Sequence, residues 1–318
     1  MGREGFIELY MSSDERFDEA IADALEQIRA VEAKLDHHRP DSGLSQLNRG
    51  AHDAYHAVED ADVYRALVLA LDYARASRGA FDPTIGSIGR LYDEGDPDDA
   101  TLAAALDNVG WEWVAVAQEA HAVKFRRPGI ELDLGGVSKG YALHLAARVL
   151  AKSGSLAGLF VLGGNAYAWS APPGEQGWPV PLQDPRDPAR TVLTLKIANR
   201  GVAIAGQRVA GGESLLDPAT GRPVAGDIVF AIGTAHTASD ADAFATALAA
   251  STFQGATDLL GRMRKVEAAL LIRDGDGFYL LASASLEGRL DLAPEFEAEI
   301  GGDVRYLLPP TEFPAGPA

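Results

Sequence analysis

"ELDLGGVSKGYAL", Glu131 to Leu143, sets two adjacent glycines behind an acidic run and follows them with a serine, a lysine and a third glycine. "IELDL" has the pattern of a strand, and residues from about Tyr141 to Lys152 that of a helix ended by Gly154. Paired glycines let backbone approach closely, and a helix N-terminus offers free N–H groups and a positive dipole end to an anion. The lysine precedes the last glycine, which excludes a Walker A loop, and the spaced glycines of a dinucleotide fingerprint are missing. From this segment alone, a phosphate cradle and an ordinary tight turn with a solvated lysine both stand.

Upstream, "EGFIELYM" alternates as a half-buried strand, and Ser12 with Glu15 has capping-box spacing before a helix with the stripe Phe17, Ile21, Leu25, Ile28, Val31 and Leu35. "HHRPDSGLSQLNRG" reads as a loop, and a second helix is expected from about Val58 to Arg78 with Gly79 at its C′ position. Two short β-rich runs between Trp113 and Phe125 suggest a hairpin. Downstream, "GLFVLGGN" is a strand stopped by glycines, and "WPVPLQDP" fits only an edge strand or a loop, because proline cannot donate to a ladder. "TVLTLKIA", "GVAIAG", "DIVFAIG", "EAALLIRD" and "GFYLLAS" are further strands, with the helix "SDADAFATALAAS" and a shorter one after Gly255 among them. Strands in runs with irregularly inserted helices predict an α+β fold with mainly antiparallel pairing. We expect one domain over residues 1–308 and a disordered proline-rich tail over 309–318.

The chain has 318 residues, 47% hydrophobic and 23% charged, which is the balance of a packed globular protein. A net charge of −18 opposes any general affinity for nucleic acid or an anionic membrane, so neither is expected as a partner. An anionic substrate then needs a local cation or a divalent metal. The absence of cysteine removes disulfides, thiolate catalysis, Cys-ligated metals and a lipobox anchor. No apolar run approaches the ~20 residues that span a bilayer, and "MGREGFIELYM" lacks the features of a signal peptide, so a cytoplasmic location is expected.

Three further stretches carry polar groups suited to a site. In "DADAFAT", Asp242 and Thr246 are four apart and share a helix face, a thin oxygen set that suits magnesium bound together with phosphates. Carboxylates complementing the helix dipole are the simpler alternative there. "LGGN" presents Asn165 after Gly163 and Gly164, and "FDPT" offers Asp82 and Thr84 around a proline-fixed turn. Each of these two is also compatible with an Asx-type turn.

Taken in order, "MG", "RPDSGLSQLNRG", "FDPTIG", "DLGGVSKGYA", "LGGN", "LLDPATGRP" and "DADAFAT" resemble the FAD:protein FMN transferase (ApbE) family, from Met1 to about residue 285. The resemblance implies an α+β fold with a T-fold-like core, and a protein that binds FAD with a divalent metal, usually Mg2+. It implies transfer of FMN to a threonine or serine of an acceptor flavoprotein, with release of AMP. Residue by residue, it assigns Asp242 and Thr246 as metal ligands with the Ser138 carbonyl, and Lys139 beside the FAD phosphates. It assigns Asp82, Thr84, Gly163, Gly164, Asn165 and Met1 to the flavin nucleotide site.

Two positions depart from the family pattern. "ESLLDP" places Ser214 where the family has a histidine assigned to its catalytic machinery, and "AGQ" places Gln207 where it has an acidic side chain beside the flavin. Serine cannot accept a proton near neutral pH as imidazole does. His236 and Asp217 lie near these motifs, and neither has motif support as a substitute. Three activities therefore stay open: FMN transfer, FAD hydrolysis to FMN and AMP, and FAD binding without catalysis.

Overall fold

The computed structural model describes residues 5–11, 16–52, 54–207, 215–263 and 265–307. Along the chain, strand β1 (Gly5–Met11) leads to helices α1 (Phe17–Leu35) and α2 (Gly43–Gly50), strand β2 (His56–Ala57), and helices α3 (Ala61–Ser77), α4 (Gly86–Glu94) and α5 (Asp99–Leu106). The hairpin of β3 (Val114–Ala117) and β4 (Ala122–Phe125) precedes α6 (Gly135–Lys152). Strands β5 (Ser155–Leu162), β6 (Asn165–Trp169), β7 (Trp178–Asp184), β8 (Asp187–Ile197), β9 (Arg200–Gly206) and β10 (Ile228–Ala235) follow. Next come α7 (Ala238–Ala249), α8 (Phe253–Arg262), β11 (Glu267–Asp274), β12 (Gly277–Ser283), β13 (Leu290–Leu292), α9 (Pro294–Glu299) and β14 (Val304–Leu307).

An eight-stranded sheet runs β1-β5-β6-β9-β10-β11-β12-β14, antiparallel throughout except at β12 with β14. This is the mixed α+β architecture with mainly antiparallel pairing that the sequence pattern predicts. Both faces of the sheet are covered, so β10, "IVFAIGTA", is buried at every position and shows no polar alternation. On one face Ala231, Leu270 and Ile272 pack with Ala24, Leu67, Leu143 and Phe244 of the helical layer. On the other, Leu159, Ile232, Leu271 and Leu280 meet Trp178, Val180 and Leu195 of a small sheet ordered β13-β8-β7, together with Phe296 of α9. As expected, β7 is an edge strand, with Trp178, Val180 and Leu182 inward and Pro179 and Pro181 exposed.

The structure corrects several local expectations. Helix α6 begins at Gly135 and takes in the whole "GGVSKG" stretch, while "IELDL" makes only an isolated bridge between Glu131 and Ile85. Its backbone finds partners outside any ladder: Leu132 exchanges two hydrogen bonds with the Asn48 side chain (2.9 and 3.0 Å), and the Asp133 N–H donates to the Pro83 carbonyl at 2.8 Å. The expected loop "HHRPDSGLSQLNRG" contains α2, because the Ser42 hydroxyl caps it by accepting from the Ser45 N–H at 3.0 Å. Asp60 caps α3 at Asp62 and Val63, which moves its start to Ala61, and the helix ends as expected with Arg78 and Gly79 at positive φ. In α1, Phe17 and Leu25 are exposed, and the buried face is Ala20, Ala24, Ile28, Val31 and Leu35. The buried face thus keeps Ile28, Val31 and Leu35 of the expected stripe and adds Ala20 and Ala24 in its N-terminal half. The Ser12–Glu15 pair and the 309–318 tail lie outside the described residues. Among the described residues, no helix is long and apolar enough to cross a membrane.

Close approach dictates where α7 sits. A Cβ on Gly201 of β9 would lie 2.6 Å from Ala238 Cα, and one on Gly140 of α6 would lie 2.2 Å from the Ala238 carbonyl oxygen. The first turn of α7 is thus wedged between sheet and helix at positions where only glycine fits. Gly140→Ala is expected to destabilise the protein by about 1–3 kcal/mol through overpacking. Gly89→Ala, in α4 with nothing within 4 Å of the added carbon, is expected to be neutral or stabilising. Urea unfolding of the two variants beside wild type measures the difference.

Candidate functional site

Two side chains of α7 bond the opening turns of α6. Asp242 Oδ2 accepts the Gly140 N–H at 2.8 Å, and the Thr246 hydroxyl donates to the Gly136 carbonyl at 3.3 Å. Gly136 and Gly140 are the two halves of one helical i to i−4 pair, so both α7 residues address the same turn of α6. Ser138 lies within that turn. The structure therefore brings Asp242 and Thr246, both buried, onto one turn of α6 at Gly136 and Gly140, while Ser138 lies between those two glycines in sequence with no hydrogen bond to either side chain. A carboxylate, a hydroxyl and backbone carbonyls are hard oxygen donors, a set that suits a small divalent cation sharing its coordination with a phosphate. Lys139, on the same turn, is half-buried and its Nζ donates to the Gly135 carbonyl at 3.0 Å.

A cavity of ≈120 Å³ opens beside this crossing. Four segments far apart in sequence line it: Ala80, Phe81, Asp82 and Ile85; Asp133 and Gly136; Leu215, Leu216 and Pro218; and Thr246 with Ala250. Asp133 caps the entry of α6, its Oδ1 accepting the Gly135 N–H at 2.7 Å.

"FDPT" forms a closed polar turn. Asp82 Oδ1 accepts from the N–H and the hydroxyl of Thr84 (2.9 and 2.7 Å), and Oδ2 accepts from the Trp111 N–H at 2.8 Å. The Thr84 hydroxyl in turn accepts the Gly110 N–H at 2.7 Å, and Thr84 is fully buried. Burial pushes the Asp82 carboxyl above the usual carboxylate range, against the opposing pull of the donors from Thr84 and Trp111.

At the opposite end of the motif series, Gly163 (φ 56°) and Gly164 (φ 90°) form the two-residue turn between β5 and β6, a conformation that favours glycine at both positions. Asn165 follows at 1% exposure, and neither Oδ1 nor Nδ2 has a hydrogen-bond partner among the described residues. Its cross-strand partner Ala203 packs with Ala241 and Ala245 of α7, so Asn165 is on the helix-bearing face of the sheet. A buried amide with four unmet hydrogen-bonding positions is uncommon and is the mark of a site completed by something else.

Gln207, at the end of β9, donates its side-chain amide to the carbonyls of Gly226 and Ile228 (2.8 and 3.0 Å). Asp217 is used by its own turn, accepting from the Ala219 N–H and the Thr220 hydroxyl, and His236 is exposed. Met1 and Ser214 lie outside the described residues. Sequence reasoning assigned no role to Asn48 or Asp133. Asn48 was within reach of it, being the last residue of the quoted "RPDSGLSQLN" stretch and here the clamp on Leu132.

Fold and site together define a mixed α+β protein with two buried oxygen-bearing side chains at a helix crossing, beside a cleft shared by four motif segments. The ApbE family model matches residues 1–270. The FAD:protein FMN transferase of Treponema pallidum is 27% identical over 281 residues, covering 80% of this chain and 77% of that protein. The Salmonella typhimurium protein of the same name is 26% identical over 272 residues, covering 79% and 76%. The solved flavin transferase ApbE from Vibrio cholerae superposes with a TM-score of 0.78 at 21% identity, covering 91% of this chain and 96% of that one. The Thermotoga maritima ApbE protein gives 0.73 at 22%, covering 94% and 99%. The chain belongs to the ApbE family.

Two substitutions separate structural from ligand-directed polar groups. Asp82→Ala strips the acceptor from three donors, and is expected to cost about 2–3 kcal/mol of stability. Asn165→Ala removes two polar atoms that have no hydrogen-bond partner among the described residues, and is expected to leave the thermal midpoint unchanged or raise it. Calorimetry on both variants without added nucleotide tests the contrast.

Proposed function

We propose that this protein transfers FMN from FAD to a threonine or serine of an acceptor flavoprotein, releasing AMP, with Mg2+ held by Asp242, Thr246 and the Ser138 carbonyl. The observation that carries the reading is the convergence of Asp242 and Thr246 on one turn of α6 beside a cleft lined by four family motifs. The names of the relatives support the same activity.

In this reaction the acceptor hydroxyl oxygen bonds to the FMN phosphorus, the bond from that phosphorus to the AMP oxygen breaks, AMP leaves with the electron pair, and the hydroxyl proton passes to water. A bound magnesium supplies charge neutralisation for the diphosphate, which the protein's own net charge of −18 makes necessary. The residues of the chain bind and orient. Lys139 adds the one cationic side chain of the "GGVSKG" turn, and the opening of α6 directs N–H groups toward an anion. Asn165 offers both a donor and an acceptor to the edge of a flavin nucleotide. Asp82 and Thr84 hold the wall of the cleft by fixing the turn that carries Phe81 and Ile85. Gln207, its amide donors committed to backbone carbonyls, keeps its carbonyl oxygen for a partner.

The test is incubation of the purified protein with FAD and Mg2+, with and without a flavoprotein carrying an acceptor threonine, followed by chromatography and mass spectrometry. Expected are AMP and a covalent FMN adduct on the acceptor in equal amounts. AMP with free FMN in the presence of acceptor indicates hydrolysis, and intact bound FAD indicates a binding protein; either overturns transfer. Asp242→Ala is expected to lower metal-dependent AMP release by at least 10²-fold while the protein stays folded. Undiminished release from that variant refutes the metal assignment.

A further inference from the structure

A cluster of side chains with metal-ligand chemistry lies away from the crossing of α6 and α7. Helix α1 ends at Leu35, and the next three residues are Asp36, His37 and His38. One ligand atom from each lies within 4.8 Å of the others, the only such group of three or more His, Cys, Asp or Glu side chains among the described residues. The two imidazoles stack with centroids 3.9 Å apart and planes at 38°. Each has a carboxylate at its Nδ1: Asp133 Oδ1 stands 3.4 Å from that of His37, and Asp93 Oδ2 stands 3.6 Å from that of His38. The backbone holds the cluster in place, because the His38 N–H donates to Asp36 Oδ1 at 3.0 Å and the Ser45 hydroxyl donates to the His37 carbonyl at 2.9 Å.

We propose that Asp36, His37 and His38 form a binding site for a first-row transition cation of the zinc class, separate from the magnesium site. Three independent features favour it. A metal-binding imidazole commonly has a carboxylate behind its other ring nitrogen, which fixes the tautomer and raises ligand basicity, and a carboxylate oxygen stands 3.4 and 3.6 Å from Nδ1 of the two histidines, one small shift from that arrangement. Two nitrogen donors with one carboxylate match the ligand preference of zinc and its neighbours and not that of magnesium. The cluster also lies at the carbonyl end of α1, the negative end of the helix dipole, with three carboxylates from three segments around it. The one guanidinium adjacent in sequence is turned elsewhere, Arg39 to Asp41.

Such an ion acts as a clip. Asp93 is on α4, and Asp133 caps the entry of α6 and lines the cleft, so occupancy joins the end of α1 to both. The site needs no assumption about FMN transfer and is testable without it.

The full chain, treated with chelator and dialysed, is titrated with zinc chloride against a chromophoric chelator, with millimolar Mg2+ present throughout. One tight zinc per chain is expected, with a rise in thermal midpoint on loading. His38→Gln, at an exposed position that tolerates change, and the double variant His37→Gln with His38→Gln are expected to weaken binding at least tenfold and to abolish the thermal shift. Asp242→Ala is expected to bind zinc as wild type does. The proposal is overturned if no stoichiometric binding occurs, if the His38→Gln and double variants bind like wild type, or if Asp242→Ala alone removes binding. Circular dichroism of each variant confirms that loss of binding is not loss of fold.

Discussion

The hydrogen bond from the Gly140 N–H to Asp242, made across a helix crossing with no room for a Cβ, is the constraint on which the site depends. Any side chain at residue 140 meets the Ala238 carbonyl, and Gly201 meets the same turn of α7 from the sheet side. Small residues on three elements therefore draw α6, α7 and β9 together. That approach brings Thr246 within reach of Gly136, one helical turn from Gly140. Packing density and ligand geometry are here the same requirement. A looser crossing would separate the oxygens and also open the core beneath them.

Charge works in the opposite direction and explains why the cations are placed locally. The chain carries 46 acidic and 28 basic residues, and many of the basic ones are tied into ion pairs. Glu267 shows the scale of this pairing in the core of the fold. Burial alone would push its carboxyl up, yet bonds from Ser285 and Thr234 and the charges of Arg200 and Arg289 hold it below the usual glutamate range. A folded value below the unfolded one contributes stability above the ordinary glutamate range, and that contribution fades as pH falls through the lowered value. With the arginines of such networks occupied, the proposed anionic substrate calls on Lys139, the α6 N-terminus and the proposed cation.

Much of the fold was legible in the sequence because period and punctuation agreed with it. The strands from β8 to β12 and the helix α7 appear as alternating or continuous apolar runs bounded by glycine and proline, and the paired prolines of β7 marked an edge. What escaped was structure set by tertiary partners. "IELDL" has strand composition, but Asn48 and Pro83 take its backbone groups, so no ladder forms. Helix α2 was hidden by its glycine and asparagine content and exists through the Ser42 cap. In α1 the periodic stripe holds over Ile28, Val31 and Leu35, whereas Ala20 and Ala24 are buried where Phe17 and Leu25 were expected.

The candidate site divides the same way. Motif order located the segments that meet at the cleft, but it could not distinguish polar groups that serve the protein from those left for a ligand. Asp82 and Asn165 illustrate the difference, since both are buried polar residues in glycine- or proline-marked turns. Asp82 has both oxygens filled by Thr84 and Trp111, so its burial is compensated by the fold it stabilises. Asn165 has neither group filled, so the folded protein bears a desolvation cost of about 1–3 kcal/mol for each unmet partner until something else supplies it. A protein of marginal stability retains such a cost where the missing partner arrives with function. The unpaired amide is thus stronger evidence for a bound ligand than a satisfied carboxylate in an equally recognisable motif.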